Sequence, residues 1–172
     1  MTTPPRLSRT PLAEIIRAHD EDWSLVREIR LRSLSTDPSA FGQSWEKEST
    51  YEDSVWKQRV SDAAWFLAVE GDQPVAVVAV RQEEDSPANE RELQAMWVTP
   101  GSRHSGIAGR LAEAVFEWAR EDGADTVTLY VGPENTGARA LYESLGFSDS
   151  GERWQIVEDD PDGAWLKMTR GL

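Results

Sequence analysis

The stretch that decides the fold is residues 92–121, which read ELQAMWVTPGSRHSGIAGRLAEAVFEWARE. Residues 92–99 predict a β-strand, because Leu93, Ala95 and Trp97 alternate with the side chains of the other face, the period-two pattern of a strand. A loop of small and polar residues follows. Beyond it, apolar side chains recur every fourth residue from Ile107 to Ala119 and predict an amphipathic helix. The stretch therefore predicts a strand, a loop and a helix in that order.

The residues on either side extend this unit into a larger sheet. Downstream, alternating apolar residues predict a strand over 127–131, and residues 135–145 predict a helix that Gly146 closes in a left-handed conformation. Upstream, Asp20 or Asp22 offers an N-cap for a helix that Asp37 and Pro38 end. The remaining predicted elements are a helix over 51–60 and strands over 12–18, 65–69, 75–80, 152–157 and 164–170.

These elements place a strand–helix–strand unit, which is a right-handed parallel crossover, inside a mostly antiparallel set of strands. We therefore expect an α+β fold, a mixed α/β sandwich whose mixed sheet has six to seven strands and a central parallel β-α-β crossover, flanked by about four helices. The length of 172 residues suits a single domain over residues 1–172. The polar start of the chain, with two prolines, predicts that residues 1–10 are flexible.

The composition excludes several classes of function. Lys and Arg number 18 against 31 Asp and Glu, so the net charge is −13, which disfavours nucleic acid as the main partner. Cysteine is absent, which excludes disulfides, thiolate metal sites and a covalent intermediate on a thiol. His19 and His104 lie far apart and form no ligand pair of the HxxxH kind, so no metal site is expected.

The hydropathy pattern bears on the cellular location. No apolar run approaches the ~18 residues that a membrane span requires. The first ten residues, MTTPPRLSRT, also lack the apolar core of a signal peptide. We therefore expect no membrane partner and a cytoplasmic location.

The loop over residues 98–110, VTPGSRHSGIAGR, has the features of an anion site. It leaves the end of a strand and opens a helix, whose first amide groups have no partner within the helix and carry the positive end of its dipole. Small residues at positions 106, 108 and 109 let a phosphate approach the backbone. The loop also holds three basic side chains: Arg103, His104 and Arg110. Alternatively, Gly106 and Gly109 only fit a tight turn against the sheet.

Two motifs give the chain a resemblance to the GNAT superfamily of acyl-CoA-dependent N-acetyltransferases. Residues 103–108, RHSGIA, match its pattern Q/R-x-x-G-x-G/A. Residues 135–147, NTGARALYESLGF, match its longer and more specific pattern N-x-x-A-x-x-L-Y-x-x-x-G-F. The two motifs have the order and separation that are usual in the superfamily, and the resemblance extends over residues 12–172.

The resemblance implies that acetyl-CoA is the acyl donor. It implies that Met96, Trp97 and Val98 offer backbone groups to the pantetheine arm, which Asn135 steadies from the other side. The other residues that it assigns to the cosubstrate lie in the pyrophosphate loop or on the following helix: Arg103, His104, Ser105, Gly106, Ile107, Ala108, Gly109 and Tyr142.

The resemblance also implies catalytic roles for two side chains. Tyr142 stands where the superfamily commonly places the residue that protonates the departing CoA thiolate, and it lies two helical turns beyond Asn135, on the same face. Glu92 matches a glutamate that acts in several relatives as a base through water, which is needed because amines are mostly protonated at neutral pH. Glu90 is a nearby alternative, and Tyr142 can instead be a half-buried aromatic residue. Because cysteine is absent, direct attack of a primary amine in a ternary complex is the simplest route.

The acceptor pocket of the superfamily is usually built by the segment between the first two helices and by the final strand pair. Here these segments offer three aromatic residues, Phe41, Trp45 and Trp154. They also offer acidic residues: Glu46, Glu48, Asp159 and Asp160. Rings together with carboxylates suit a cationic amine. Alternatively, the rings belong to the core and the acidic side chains are solvated.

Two other functions stay open from the sequence. A non-catalytic acyl-CoA-binding sensor or interaction module would bind the cosubstrate without turnover, whereas a purely structural domain would not bind it. Homodimers are frequent in the superfamily, so a homodimer is an expectation by analogy.

Overall fold

A computed structural model of the chain describes residues 12–155 and 163–172, which form one seven-stranded sheet with five α-helices. The strands are β1 (Glu14–Ala18), β2 (Ala64–Glu70), β3 (Gln73–Arg81), β4 (Glu90–Val98), β5 (Thr126–Val131), β6 (Ser148–Trp154) and β7 (Trp165–Gly171). The helices are α1 (Trp23–Thr36), α2 (Trp45–Glu48), α3 (Asp53–Asp62), α4 (Ile107–Glu121) and α5 (Thr136–Ser144). Short 3-10 turns cover Asp20–Asp22, Pro38–Ala40 and Pro100–Ser102.

The sheet has the strand order β1-β2-β3-β4-β5-β7-β6. Its two central neighbours, β4 and β5, are parallel, whereas all the other neighbouring pairs are antiparallel. The chain returns from the end of β4 to the start of β5 through α4, as a parallel pair requires. This confirms the predicted mixed sheet with a central parallel crossover.

Helices cover both faces of the sheet, which explains why β3 is apolar at almost every position. Val78 and Val80 belong to a core cluster with α4. Val77 and Ala79 belong to a second cluster with α1 and α3 on the opposite face. The sheet is therefore the middle layer of the fold.

Two details of the sequence-based prediction are wrong. β6 begins at Ser148 rather than at residue 152, because its seven residues are all exposed and a polar edge strand has no apolar period to detect. The last two residues of that predicted strand, 156 and 157, lie outside the described residues. At the start of α1, Asp22 is the N-cap residue, as predicted, but it does not form the expected capping bond: its carboxylate accepts a hydrogen bond from the backbone N–H of His19 at 2.9 Å.

The parallel pairing of β4 with β5 is short. It covers only three residue pairs, from Glu90 and Thr126 to Glu92 and Thr128. Beyond these pairs β4 carries an extra residue relative to β3, a β-bulge in which Ala95 has a φ of +56°. Because a bulge bends its strand, the two central strands separate at their carboxyl ends. Within the described part of the chain, the β5-facing backbone groups in the second half of β4 therefore have no strand partner.

Buried ion pairs join α1, α2 and α3. The carboxylate of Glu48, with 1% of its side chain exposed, accepts hydrogen bonds from the guanidinium groups of Arg30 and Arg59. Burial acts to raise the pKa of Glu48, but the hydrogen bonds and charges of the two arginines outweigh this effect and hold the pKa below its ordinary value. Removing one partner of a buried ion pair leaves an uncompensated charge, so Glu48 ties the three helices together.

The variant Glu48→Gln should lower the free energy of unfolding by about 3–5 kcal/mol at neutral pH, because it leaves two guanidinium groups without their counter-ion. Since the pKa of Glu48 is lowered on folding, its carboxylate stabilises the protein fully above the ordinary pKa of 4.5. This contribution is lost as the pH falls through the lowered pKa. Urea unfolding should therefore show the difference between the two proteins shrinking on acidification.

The matched control is Glu46→Gln, an exposed carboxylate on the same helix, α2. It should change the free energy of unfolding by less than about 0.5 kcal/mol. Equal losses in the two variants would contradict the anchoring role of Glu48.

Candidate active site

The separation of β4 from β5 opens a cavity of about 1000 Å³, here called cavity A. Its walls come from the end of β4, from the loop and first turn of α4, and from the segment that leads from β5 into α5. Met96, Trp97 and Val98 lie on the first wall, and Gly132 and Pro133 lie opposite them. The volume is at the upper end of the range for ligand pockets, so cavity A suits a large ligand.

The wall formed by α4 is suited to an anion. Gly106 precedes the helix with a φ of +83°, a left-handed conformation that disfavours other residues, and no side chain caps the helix. The first amide groups of α4, from Ile107 to Gly109, therefore lack a helical partner and lie at the positive end of the dipole. All three of these residues line cavity A.

The helix α5 supplies the opposite wall. Asn135 is its N-cap, and the side-chain oxygen of Asn135 accepts a hydrogen bond from the backbone N–H of Ala138 at 3.2 Å. This bond leaves the side-chain amide hydrogens of Asn135 available to a ligand. Two turns later, Tyr142 also lines cavity A, as the seven-residue spacing predicts.

The structure brings together all but one of the residues that the sequence assigned to the cosubstrate. Met96, Trp97, Val98, Arg103, His104, Gly106, Ile107, Ala108, Gly109, Asn135 and Tyr142 all line cavity A. Ser105 does not line it. Its hydroxyl group donates a hydrogen bond to the carbonyl of Ser102, so this side chain holds the turn before α4.

Sequence reasoning missed Asp37, which also lines cavity A. One oxygen of its carboxylate accepts hydrogen bonds from Trp97 Nε1 at 2.7 Å and from Arg103 Nη2 at 2.5 Å. Burial acts to raise the pKa of Asp37, but these two donors and the charge of Arg103 hold the pKa below its ordinary value. Asp37 thus connects the end of α1 to both β4 and the loop before α4. The sequence analysis used Asp37 to predict the end of a helix and gave it no role in the site.

A second cavity of about 900 Å³, here called cavity B, lies on the face of the sheet that α1 and α3 cover. Its wall includes Glu48 and Arg59 from the helices and Trp65 and Ala79 from the sheet. The two cavities share four lining residues: Ala40, Met96, Tyr142 and Trp165. They therefore meet beside Tyr142, at the edge of the separated strands.

Tyr142 is a protonated phenol at this meeting point. It is 8% exposed and packs edge-on against the ring of Phe147, with the ring centroids 5.9 Å apart. Burial raises the pKa of Tyr142 far above its ordinary value. Among the described residues, no group forms a hydrogen bond with its side chain, so the hydroxyl group is free to donate one to a ligand.

Glu92 lies on the wall of cavity B. The side-chain amide of Gln94 donates hydrogen bonds to Glu92 at 2.8 Å and to Glu83 at 2.6 Å. Burial raises the pKa of Glu92, and the charge of Glu83 adds to this effect. The alternative residue, Glu90, lines neither cavity and pairs with Lys167 at 3.8 Å.

The candidate acceptor residues do not all come together. Phe41 and Trp154 line cavity B, but Trp45 is 44% exposed and lines neither cavity, because α2 turns it toward solvent. Glu48 lines cavity B but is paired with two arginines, and Glu46 is exposed. Residues 159 and 160 lie outside the described residues. Sequence reasoning missed Tyr130 on β5 and Trp165 on β7, which also line cavity B.

Comparison with known proteins agrees with this geometry. Residues 23–147 match the family model of the acetyltransferase (GNAT) family. The chain belongs to the GNAT family. The matched residues include the β4–α4 loop and the α5 motif, which are the two segments that enclose cavity A.

Relatives and solved structures extend this finding. Among curated proteins, N-acetyltransferase 8 of Mus musculus is 36% identical over 95 residues, which make up 54% of this chain and 42% of that protein. The matched region is thus less than half of that relative. A GNAT-family acetyltransferase from Streptococcus pneumoniae has a TM-score of 0.75 and 16% identity, covering 92% of this chain and 99% of that one. The acetyltransferase yncA from Salmonella typhimurium, solved with its cofactor acetyl-CoA, has a TM-score of 0.73 and 16% identity, covering 92% and 93%. These two likenesses show a shared GNAT fold.

Within residues 12–155 and 163–172, no helix has both the length and the apolar character to cross a membrane. These residues also bring together no group of three or more His, Asp or Glu side chains that could hold a metal ion.

The variant Gly106→Glu should weaken the binding of coenzyme A by more than about a hundredfold, because it adds bulk and a negative charge where the α4 amides face cavity A. Isothermal titration calorimetry measures this change. Gly123→Glu is a matched control, since Gly123 follows the other end of α4 with the same φ of +83° and an equally open surrounding. The control should bind coenzyme A like the unaltered protein; unchanged affinity in a folded Gly106→Glu protein would remove this loop from the site.

Proposed function

We propose that this protein transfers an acetyl group from acetyl-CoA to a primary amine by direct attack in a ternary complex. The observation that carries the proposal is the meeting of two cavities beside Tyr142, at the gap between β4 and β5. A transfer without a covalent enzyme intermediate needs two substrates that approach a single point from different sides. Cavity A would hold the donor, and cavity B would hold the acceptor.

The residues of cavity A fit acetyl-CoA. The uncapped start of α4 and the Arg103 guanidinium suit a pyrophosphate. The β5-facing edge of β4, unpaired beyond Glu92, suits the amide groups of a pantetheine arm, which can pair with it like a neighbouring strand. The acetyl-CoA complex of the Salmonella protein, which shares the fold, supports the same choice of donor.

The reaction we propose needs one bond to form and one to break. The acceptor nitrogen attacks the thioester carbonyl carbon, and the C–S bond then breaks with its electron pair on sulfur. Tyr142 donates its phenolic proton to the departing thiolate. Burial keeps the phenol protonated, so the proton is in place when the C–S bond breaks. The acceptor loses one proton before it attacks, which frees the nitrogen lone pair. The nitrogen loses a second proton as the amide forms, and this proton restores the Tyr142 phenol.

Glu92 is our candidate for accepting the acceptor's proton through a water molecule. Its position on cavity B and its raised pKa support this role, since a base works best when its pKa lies closer to the working pH. The carboxylates of Glu83 and Asp85 line the same end of cavity B and would attract the protonated amine. The acceptor's amine therefore enters as a cation. A cytoplasmic location and a homodimer stay predictions.

The variant Tyr142→Phe should lower kcat by about 10²–10⁴-fold, the usual worth of a general acid, while the Kd of acetyl-CoA changes little. Release of the CoA thiol from acetyl-CoA, with a screen of primary amines as acceptors, measures the rate. Tyr130→Phe is the comparison variant: this tyrosine lines only cavity B, so the loss of its hydroxyl group should change the KM of the acceptor more than kcat. A Tyr142→Phe protein as fast as the unaltered one would exclude this role, and acetyl-CoA binding without turnover on any amine would favour a sensor module.

The pH dependence tests Glu92. Because burial raises its pKa above the ordinary 4.5, kcat/KM should fall on acidification with a midpoint above that value, as Glu92 takes up a proton and stops acting as a base. Glu92→Gln should lower the rate and abolish this acidic limb. Glu90→Gln, a change of the same kind two residues earlier on β4, should keep it. If both variants retain the limb, another group is the base.

A further inference from the structure

The helix-covered end of cavity B carries an unbalanced positive charge. Arg30 donates to Glu48 through Nε at 3.1 Å and through Nη2 at 2.9 Å, and Arg59 donates to the same carboxylate through Nη1 at 2.8 Å. Two cations therefore share one anion, and all three residues line cavity B. Asp62, which accepts a hydrogen bond from the neutral amide of Gln58, brings a second negative charge to this wall. Lys47 adds a further positive charge to the wall.

One donor in this group has no acceptor. The side chain of Arg30 is 2% exposed, and its Nη1 atom is buried without a hydrogen-bond partner among the described residues. The ring of Phe41 lies 4.8 Å from the guanidinium carbon but offers no lone pair. Buried donors are nearly always satisfied in folded proteins, so an unpaired donor on a residue that lines cavity B is a candidate for a partner supplied from outside the chain.

Arg59 is the more accessible member of the pair. Its side chain is 28% exposed, and its guanidinium group is held among the rings of Tyr51, Trp56 and Trp65, at 4.8–5.9 Å from their centroids. Only Nη1 of this group donates to a protein atom among the described residues. The remaining N–H groups of Arg59 are thus available in a fixed orientation, as the recognition of a planar anion requires.

The opposite end of cavity B has the opposite charge. Glu83, Asp85 and Glu92 line that end together with Arg81, which pairs with Glu83, and the charge of Lys167 also acts on Glu92. In the sheet, Trp65 pairs with Ala79 and Ala79 with Gln94, so β2, whose Trp65 contacts Arg59, and β4, which carries Glu92, are two strand spacings apart, about 10 Å. A molecule that spans this cavity would meet carboxylates at one end and guanidinium groups at the other.

We propose that the acceptor carries a carboxylate in addition to its amine, and that Arg59, together with the free N–H group of Arg30, binds this carboxylate. The inference rests on the proposed function, which places the acceptor in cavity B. Binding would balance the charge around Glu48 and satisfy the buried donor. The acceptor class is therefore amino acids and related zwitterions rather than polyamines.

Three matched pairs of probes test this inference: L-phenylalanine and L-phenylalaninamide, γ-aminobutyrate and γ-aminobutyramide, and ε-aminocaproate and ε-aminocaproamide. Each pair keeps size and amine and differs in the carboxylate. Expressed per protonated amine, the form that the proposed mechanism binds, kcat/KM for CoA release should be about tenfold to a hundredfold higher for the carboxylate member of the preferred pair. This factor corresponds to one charge-assisted hydrogen bond. An amide that reacts as well as its carboxylate in all three pairs overturns the inference while the proposed function stands.

A binding measurement separates failure of the inference from failure of the proposed function. With coenzyme A present, calorimetry should show tighter binding of the N-acetylated carboxylates than of the N-acetylated amides. If no probe turns over but this preference holds, the proposed transfer is contradicted and the carboxylate site is supported. The absence of a preference, including the absence of all binding, overturns the carboxylate site.

Variants assign the preference to Arg59. Arg59→Gln should remove most of the carboxylate preference and leave the Kd of acetyl-CoA unchanged, whereas Arg59→Lys should keep part of the preference. Lys57→Gln is the charge-matched control, because Lys57 lies on the same helix, α3, outside both cavities and next to Trp23. A preference that survives Arg59→Gln as fully as Lys57→Gln excludes Arg59 as the carboxylate ligand.

Discussion

The parallel ladder between β4 and β5 ends after Glu92 and Thr128, and the whole site depends on this ending. The bulge at Ala95 bends β4 away while its antiparallel pairing with β3 continues. Backbone groups that a neighbouring strand would satisfy are left for a ligand. The same separation gives α4 and α5 room to face each other across a cavity. A continuous ladder would leave neither space nor unpaired hydrogen-bonding groups.

The position of Tyr142 follows from that separation. The helix α5 begins just beyond β5, and Asn135 caps it with its side-chain oxygen. Two turns later the phenol reaches the point at which both cavities meet. Burial keeps this group protonated, whereas burial and the charge of Glu83 raise the pKa of Glu92 above its ordinary value. The fold thus places a protonated phenol where the two cavities meet and a carboxylate with a raised pKa on the wall of cavity B.

The net charge of −13 does not describe the charges within the two cavities, where arginines pair with individual carboxylates. In cavity A, the carboxylate of Asp37 accepts hydrogen bonds from Arg103 and Trp97 and ties α1 to the loop that faces the proposed pyrophosphate. In cavity B, Glu48 holds two arginines together and leaves their combined charge positive. Because these groups are partly or fully removed from water, their local charges influence a ligand more strongly than the distant surface acids do.

The sequence by itself determined the order and type of the main elements and most of the cavity A residues that were assigned to the cosubstrate. These residues lie within two short segments, 96–109 and 135–142, where local spacing and small side chains carry the information. The predicted start of β6, residue 152, lies beyond its true start at Ser148, because an exposed edge strand has no apolar period. Tertiary structure alone decided that Trp45 faces solvent, that Asp37 meets Arg103, and that Glu48 is shared by two arginines. Those contacts join residues 11 to 66 positions apart, and no local pattern specifies which distant side chains the packing of helices on a sheet will bring within a hydrogen bond.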